Sequence, residues 1–403
     1  MALPGTDTVS VPVPLRAAVS LPAVLAGLVA VAVSYAGPLL VVLEAAKSAG
    51  LTAGQTTSWV WAVSIASGLV CTVLSLATRQ PVMVAWSVPG AALLLTALGD
   101  YSYPEAIGAY IVAGLLATVL GVTGLFGRLL ASVPKPILAA VLAGVLLPFV
   151  VGVAGAVLES PLVAGGLVLA YLAGKRWLPR YAVFVALAAG VLIGAASGEL
   201  TAPQLSLSLA GPLWTAPEFS LQAVMGISLP LLIVTMAGQN GPGLAMMISN
   251  GYRPNDKLLL GASGLMSVLF APFGSHAINL AAITAGICSG PEAHEDPRRR
   301  YVAGMACGLF YLVFGTFAAA IVSLFAAVPG PMLTALAGVA LLGALQGALL
   351  DTLTAERSSP AVLEAALITL AVTASGIAPW GIVSPFWGCL AGTVSYLVLR
   401  RRG

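Results

Sequence analysis

The chain has 403 residues, is 59% hydrophobic and 8% charged, and has a mean hydropathy of +1.03. Soluble domains carry about 25% charged residues, so a water-soluble protein of this length is excluded, and a net charge of only +3 argues against a nucleic-acid partner. What remains is a polytopic membrane protein whose solvent is the lipid bilayer.

A bilayer-crossing helix needs about 20 apolar residues, and Gly, Pro and charge mark the breaks between helices. The chain then predicts fourteen segments: 17–46, 53–78, 81–98, 104–127, 134–156, 160–175, 179–197, 219–249, 257–270, 271–290, 299–328, 331–350, 360–376 and 380–399. The polar stretch MALPGTDTVSVPVPLR precedes the first segment. That segment is about twice as long as a signal-peptide h-region and reads as a retained span. Lys and Arg favour cytoplasmic loops. With the N-terminus inside, Arg16, Arg79, Arg128, Lys135, Lys175, Arg176, Arg180, Arg253, Lys257, Arg298, Arg299, Arg300, Arg357, Arg400, Arg401 and Arg402 all fall inside. Of the 17 basic residues only Lys47 falls outside. Both termini are therefore expected in the cytoplasm.

The chain repeats itself. SYAGPLLVVLEAAKSAG (34–50) aligns with TMAGQNGPGLAMMISNG (235–251), pairing Ala36 with Ala237, Gly37 with Gly238, Ser48 with Ser249 and Gly50 with Gly251. VPKPILAAVLAGV (133–145) aligns with VPGPMLTALAGV (328–339) in the same order. Two halves follow, 1–197 and 198–403, each with seven segments. An odd number makes the second half enter from the opposite side, so the repeats are inverted, as in many secondary transporters. The fold class is thus an all-α polytopic membrane protein with 14 transmembrane segments in two inverted seven-segment repeats.

Segments 3 and 10 are counterparts, and both are broken. QPVMVAWSVPGAALLLTAL (80–98) predicts an extended stretch at Pro81–Ser87 and a helix at Val88–Leu98, with Ser87 as N-cap and Pro89 in the first turn. APFGSHAINLAAITAGI (271–287) predicts an extended stretch at Pro272–Ala277 and a helix at Asn279–Ser289, with Asn279 or Ile278 as cap. Half-helices of about 11 residues are roughly 16 Å long, half the hydrocarbon thickness. Their N-termini would face each other near the midplane, offering unpaired N–H groups and positive dipole ends to a small anion. Irregular backbone at that depth is tolerated where it is buried in protein or lines a cavity. The alternative is a pair of kinks satisfied by neighbouring helices.

The candidate substrate-binding set is Tyr35, Ser87, Val88, Gly90, Gln239, Asn240, Gly274, Ser275, His276 and Asn279. His276 reads as a substrate ligand or proton acceptor, since imidazole titrates near neutrality; the alternative is a neutral ring bonded to freed backbone. Segment 8 breaks at TMAGQNGPG (235–243), where the amides of Gln239 and Asn240 can donate to a carboxylate or satisfy backbone. Tyr35 either stacks on an aromatic ligand or fills a helix interface. Ser275 and His276 are not a catalytic pair, because adjacent side chains of an extended chain point to opposite faces. Proton-coupling candidates are His276 and Glu44; Glu44 and Glu364, near or within spans, read either as proton carriers or as acids solvated at helix ends. In PEAHEDPRRRY (291–301) the arginines read as topogenic and His294 as solvated.

Cys71, Cys288, Cys307 and Cys389 lie far apart in apolar segments and read as buried thiols. With no HExxH, intramembrane Asp pair or Cys/His cluster, the sequence predicts no metal, no cofactor and no enzyme. A sensor or structural membrane protein would need no paired half-helices.

APFGSHAINLAAITAGICSGPEAHEDPRRRYVAG (271–304), TMAGQNGPGLAMMISNGYRP (235–254) and VPGPMLTALAGVALLGAL (328–345) resemble the benzoate–proton symporter (BenE) family, and the resemblance extends over nearly the whole chain. That family looks related in fold to nucleobase–proton symporters and sulfate/bicarbonate carriers. The resemblance implies a bacterial inner-membrane symporter for benzoate or a similar aromatic carboxylate with protons, and a homodimer by analogy with the related folds. It also implies a core domain of segments 1–4 and 8–11 and a gate domain of segments 5–7 and 12–14, with substrate between segments 3 and 10. Where nucleobase carriers have acidic residues, this chain has Gln239/Asn240 and Ser275/His276. That departure favours an anion over a nucleobase; the same-fold alternatives are a nucleobase or an inorganic anion.

Overall fold

The computed structural model describes residues 13–400 except 37, 127–133, 201–208, 282, 292, 327, 354–359, 378 and 380–383. Most of the N-terminal tail, together with Gly37, Arg128, Arg357, Arg401 and Arg402, lies outside the described residues.

The fold is all-α, with fourteen spans close to the predicted bounds. Span 1 comprises Leu21–Ala36 and Pro38–Ser48, span 2 is Ala53–Thr78, and span 3 is β1 (Val84–Trp86) followed by the helix Val88–Ala97. Span 4 is Tyr103–Thr123, span 5 Lys135–Glu159, span 6 Val163–Trp177 and span 7 Ala182–Ser197. Span 8 runs from Leu221 to Ser249, and span 9 is Asp256–Phe270. Span 10 is β2 (Ile278–Leu280) and the helix Ile283–Ser289. Span 11 is Tyr301–Thr316 with Ala318–Ala326, span 12 Gly330–Leu353, span 13 Pro360–Ala374 and span 14 Ser384–Leu399. Among the described residues, seven helices are individually long and apolar enough to cross a bilayer. The remainder are shorter, broken or bent.

Local chemistry sets several of the ends. Span 2 opens on a capping box, Thr52 with Gln55, and span 4 on Ser102 with Glu105; each satisfies two N–H groups that have no intrahelical partner. Two expectations are corrected. Segment 11 is not one helix but bends by 70° between Thr316 and Ala318. Span 8 does not break at 235–243; it stays helical through π turns at Val224–Ser228 and Met236–Asn240. Each π turn lies just before a proline, Pro230 or Pro242. A proline ring would collide with the carbonyl four residues earlier, and a widened turn moves that carbonyl aside.

The heaviest packing pairs span 2 with span 11, span 4 with span 9, span 1 with span 11, span 5 with spans 12 and 13, span 6 with span 7 and span 13 with span 14. Small residues let these backbones approach, as membrane helix pairs require in the absence of a hydrophobic drive. A Cβ at Gly68 would lie 2.8 Å from the Gly308 carbonyl oxygen, and one at Gly27 would lie 2.6 Å from Cys307 N.

The loop before span 11, expected from sequence to hold topogenic arginines and a solvated His294, buries one of those arginines. Arg298 and Arg299 are partly exposed and pair with Asp296. Arg300 is buried, and its guanidinium donates to the carbonyls of Ser289 (2.8 Å), His294 (2.6 Å) and Glu295 (3.1 Å). It therefore caps the C-terminal end of the span 10 helix, where a cation suits both the free carbonyls and the dipole. His294 is not simply solvated either; its Nδ1 accepts from Asp296 N at 2.9 Å. Hydrogen bonds to a charged donor are worth about 1.5–3 kcal/mol. Arg300→Ala is expected to destabilise the protein by at least that amount, read as a lower unfolding midpoint in detergent, with Arg300→Lys intermediate. An unchanged midpoint for Arg300→Ala would contradict the capping role.

Candidate functional site

β1 and β2 form an antiparallel two-stranded ribbon in register Val84↔Leu280, Ala85↔Asn279 and Trp86↔Ile278. The pairing extends beyond the strands: Ser87 N donates to Ala277 O (3.1 Å) and Ala281 N to Met83 O (2.9 Å). Because the strands are antiparallel, the helices that follow them leave the ribbon in opposite directions. Asn279 is therefore not the N-cap expected from sequence but the middle residue of β2, and the span 10 helix begins at Ile283. The ladder across to span 3 uses the backbone that a helix start would have needed. The stretch before β2 also differs from expectation: Ala271–Phe273 form a 3₁₀ turn, and Gly274 is left-handed with φ 106°. A Cβ there would lie 2.7 Å from the Tyr103 hydroxyl and 3.0 Å from Trp59 Cα, so both conformation and space demand glycine.

An exposed ribbon edge is costly among apolar helices, and side chains cover both edges here. On the β1 side, Cys71 Sγ accepts from Val84 N (3.0 Å) and donates to Val84 O (3.1 Å), and Ser75 Oγ does the same for Val82 (3.1 Å each). On the β2 side, Ser267 Oγ accepts from Ile278 N (2.8 Å) and Asn240 Oδ1 from Leu280 N (2.9 Å). Asn240 thus satisfies backbone, one of the two roles open to it from sequence. Cys71, Ser75 and Ser267 are site residues that the sequence reading missed. Asn240→Leu is expected to leave the Leu280 N–H unpaired, at a cost of about 1–3 kcal/mol, seen as reduced folded yield; full yield at the wild-type midpoint would contradict this.

His276 ties the ribbon to its surroundings. Trp59 Nε1, which can only donate, gives a hydrogen bond to His276 Nδ1 at 3.0 Å. Nε2 therefore carries the hydrogen and donates to the Ser87 carbonyl at 2.8 Å. The ring is neutral, fully paired and buried. A second ring hydrogen, on Nδ1, would oppose the Trp59 N–H. Tyr110 lies edge-on to the imidazole at 6.4 Å. Trp59 and Tyr110 were also absent from the sequence reading, because an aromatic in an apolar run has no local signature.

Ser87 is the N-cap predicted from sequence, its Oγ accepting from Gly90 N at 2.9 Å. Val88, half-buried, opens the helix, and a Cβ at Gly90 would lie 2.5 Å from Leu231 Cδ1. Gln239 is half-buried on the second π turn, beside Gly238, whose position is flanked by Pro89 and Leu142. Ser275 is fully buried, and its hydroxyl has no hydrogen-bond partner among the described residues. Neither amide atom of buried Asn279 has one either. Asn279 lines a cavity of about 10 Å³ with Thr235, Asn240, Ser267 and Gly114, close to the lower limit for one water. Tyr35 is buried among Trp86, Tyr311 and Phe314 at 5.0–6.2 Å, with its hydroxyl bonded to Ser64. The ribbon thus gathers Ser87, Gly90, Asn240, Ser275, His276 and Asn279. Tyr35 abuts it through Trp86, and Glu44 lies farther along span 1.

Residues 17–398 match the family described as Benzoate membrane transport protein (BenE). The chain belongs to that family. It is 40% identical to the inner membrane protein YdcO of Escherichia coli over 94% of this chain and 96% of that one. It is 38% identical to the benzoate membrane transport protein of Acinetobacter baylyi over 94% and 95%. Among solved structures, the transmembrane domain of a cyanobacterial bicarbonate transporter, BicA, superposes with TM-score 0.60 at 14% identity, over 94% of this chain and 98% of that one. The overall structure of SLC26A9 superposes with TM-score 0.63 at 14% identity, over 94% and 65%. At such identities the superpositions establish the fold of this BenE-family chain and nothing finer.

Proposed function

We propose that this chain is a secondary transporter that carries benzoate or a similar aromatic carboxylate into the cell with protons, by alternating access. The observation that carries the reading is family membership across nearly the whole chain. The substrate carboxylate sits at the ribbon, against the positive end of the span 3 helix at Ser87–Gly90 and the polar groups of Ser275, Asn279 and Gln239. His276 and Asn240 hold that frame in place, and the ring rests on apolar walls.

Several contacts support the inverted repeat. Exchanging spans 1–7 with spans 8–14 converts the pair 2–11 into 9–4, 6–7 into 13–14, and the ribbon pair 3–10 into itself, and all of these pack in the fold. Antiparallel pairing of β1 with β2 fits two halves of opposite orientation. Heavy packing within spans 1–4 and 8–11, and separately within spans 5–7 and 12–14, supports a core and a gate that move against each other. The Lys and Arg distribution supports cytoplasmic termini.

The test is counterflow in proteoliposomes. Labelled benzoate entering vesicles preloaded with unlabelled benzoate is expected to be suppressed by excess ring-substituted benzoates and unaffected by uracil or sulfate. Equal suppression by uracil or sulfate would overturn the substrate assignment.

A further inference from the structure

We propose that Glu44 takes up the coupled proton, at the seam where span 1 meets spans 3 and 12; the inference rests on the transport reading above. Glu44 is half-buried, and its Oε2 is buried with no hydrogen-bond partner among the described residues. Two contacts fix its level. Tyr35 packs on Trp86 at 5.7 Å, and farther along both chains Ser48 Oγ donates to Leu95 O at 3.4 Å. Spans 1 and 3 therefore run parallel here. Glu44, one turn before Ser48 and on the same face, lies level with Ala91–Ala92 of the span 3 helix, about one turn beyond the proposed carboxylate position.

Lys47 turns towards span 12: a Cβ at Gly330 would lie 3.1 Å from its Nζ. Glu44 and Lys47, three residues apart, share a helix face, so the carboxyl borders both bodies of the proposed core and gate. The helix Pro38–Ser48 packs on the first half of span 1, span 2, the span 3 helix and span 12. Their titratable groups are few. Tyr35 is bonded to Ser64 and Cys71 to Val84. The span 3 helix has none, and Asp351 lies far along span 12 from Gly330, roughly 30 Å by helix rise. Lys47 is thus the charged neighbour of Glu44. His276, the other intramembrane candidate, has both ring nitrogens engaged.

In the cycle, the Glu44 carboxylate takes a proton from hydronium in the outer water, one O–H bond forming on Glu44 as one breaks in hydronium and leaves water, while benzoate binds at the ribbon. After the bodies move, Glu44 returns the proton to inner water as benzoate leaves. The loaded form (neutral Glu44 with the anion) and the empty form (ionised Glu44) carry the same charge, so each turn moves one proton and one anion without net charge.

The experiment compares wild type, Glu44→Gln and Glu44→Asp in proteoliposomes, using labelled benzoate at alkaline pH with empty-vesicle controls. Glu44→Gln is expected to lose at least tenfold of its pH-gradient-driven accumulation while keeping counterflow within about twofold of wild type; Glu44→Asp is expected to keep both. Wild-type accumulation by Glu44→Gln would overturn the proposal. So would loss of both activities in a Glu44→Gln protein that stays monodisperse, since Glu44 would then serve binding or folding. A wild type silent in counterflow would instead reject the transport reading, and this inference with it.

Discussion

His276→Ala is expected to abolish benzoate counterflow and to lower the yield and unfolding midpoint of the protein. The substitution strips partners from the Trp59 indole N–H and from one acceptor position of the Ser87 carbonyl. The Ser87 carbonyl keeps its bond from Ala91 N (2.8 Å), so the group left unpaired is the Trp59 N–H, at a cost of about 1–3 kcal/mol to the joint between spans 2, 3 and 10 before any cavity is counted. Size-exclusion profiles and thermal unfolding in detergent, alongside counterflow, measure both effects. His276→Gln separates a structural ring from a titrating one. An amide can accept from Trp59 and donate to Ser87, but it cannot take up a proton. The geometry therefore predicts that His276→Gln keeps a substantial part of its pH-gradient-driven uptake. Retained counterflow without gradient-driven uptake in His276→Gln would return the proton to the imidazole.

Gly308→Leu is expected to prevent accumulation of folded protein almost entirely. Gly308 faces Gly68 and Thr72 where spans 2 and 11 touch backbone to backbone; even a Cβ would lie 2.6 Å from Gly68 O and collide with Thr72 Oγ1. Overpacking a dense interior costs about 1–3 kcal/mol for modest additions, and here the obstacle includes backbone that cannot rotate away. Span 2 also supplies Cys71 and Ser75 to the ribbon edge and Trp59 to His276. Displacing it would open the site as well as the interface. Fluorescence-detected size exclusion on membrane extracts reads the result; wild-type yield would contradict the close approach. Gly308→Ala is expected to fall between the two.

The sequence carried the span count and the two breaks because apolar length, Pro and Gly are local signals. Ser87 was legible for the same reason: a cap residue followed by Pro89 in the first turn describes a helix start wherever it occurs. Asn279 was misread because its local signal resembles that of Ser87, while the partner that makes it a strand residue is Ala85, far away in sequence. Asn240 offered two roles, and the one seen depends on Leu280, which only the fold brings near. Arg300 lies in a run of three arginines, and nothing local separates the buried one from its solvated neighbours. Cys71 and Ser75 on span 2, and Ser263 and Ser267 on span 9, are small polar pairs at i, i+4, each on one face of an apolar helix. In corresponding spans of the two halves, such pairs point to backbone that needs partners.

The most direct test of the central claim is uptake of labelled benzoate into proteoliposomes with and without an inward proton gradient, against empty liposomes that correct for leakage of neutral benzoic acid. Proton-coupled transport predicts protein-dependent accumulation above the empty-liposome control that collapses when the gradient is dissipated. Uptake indistinguishable from empty liposomes, from protein shown to be folded and reconstituted, would contradict it.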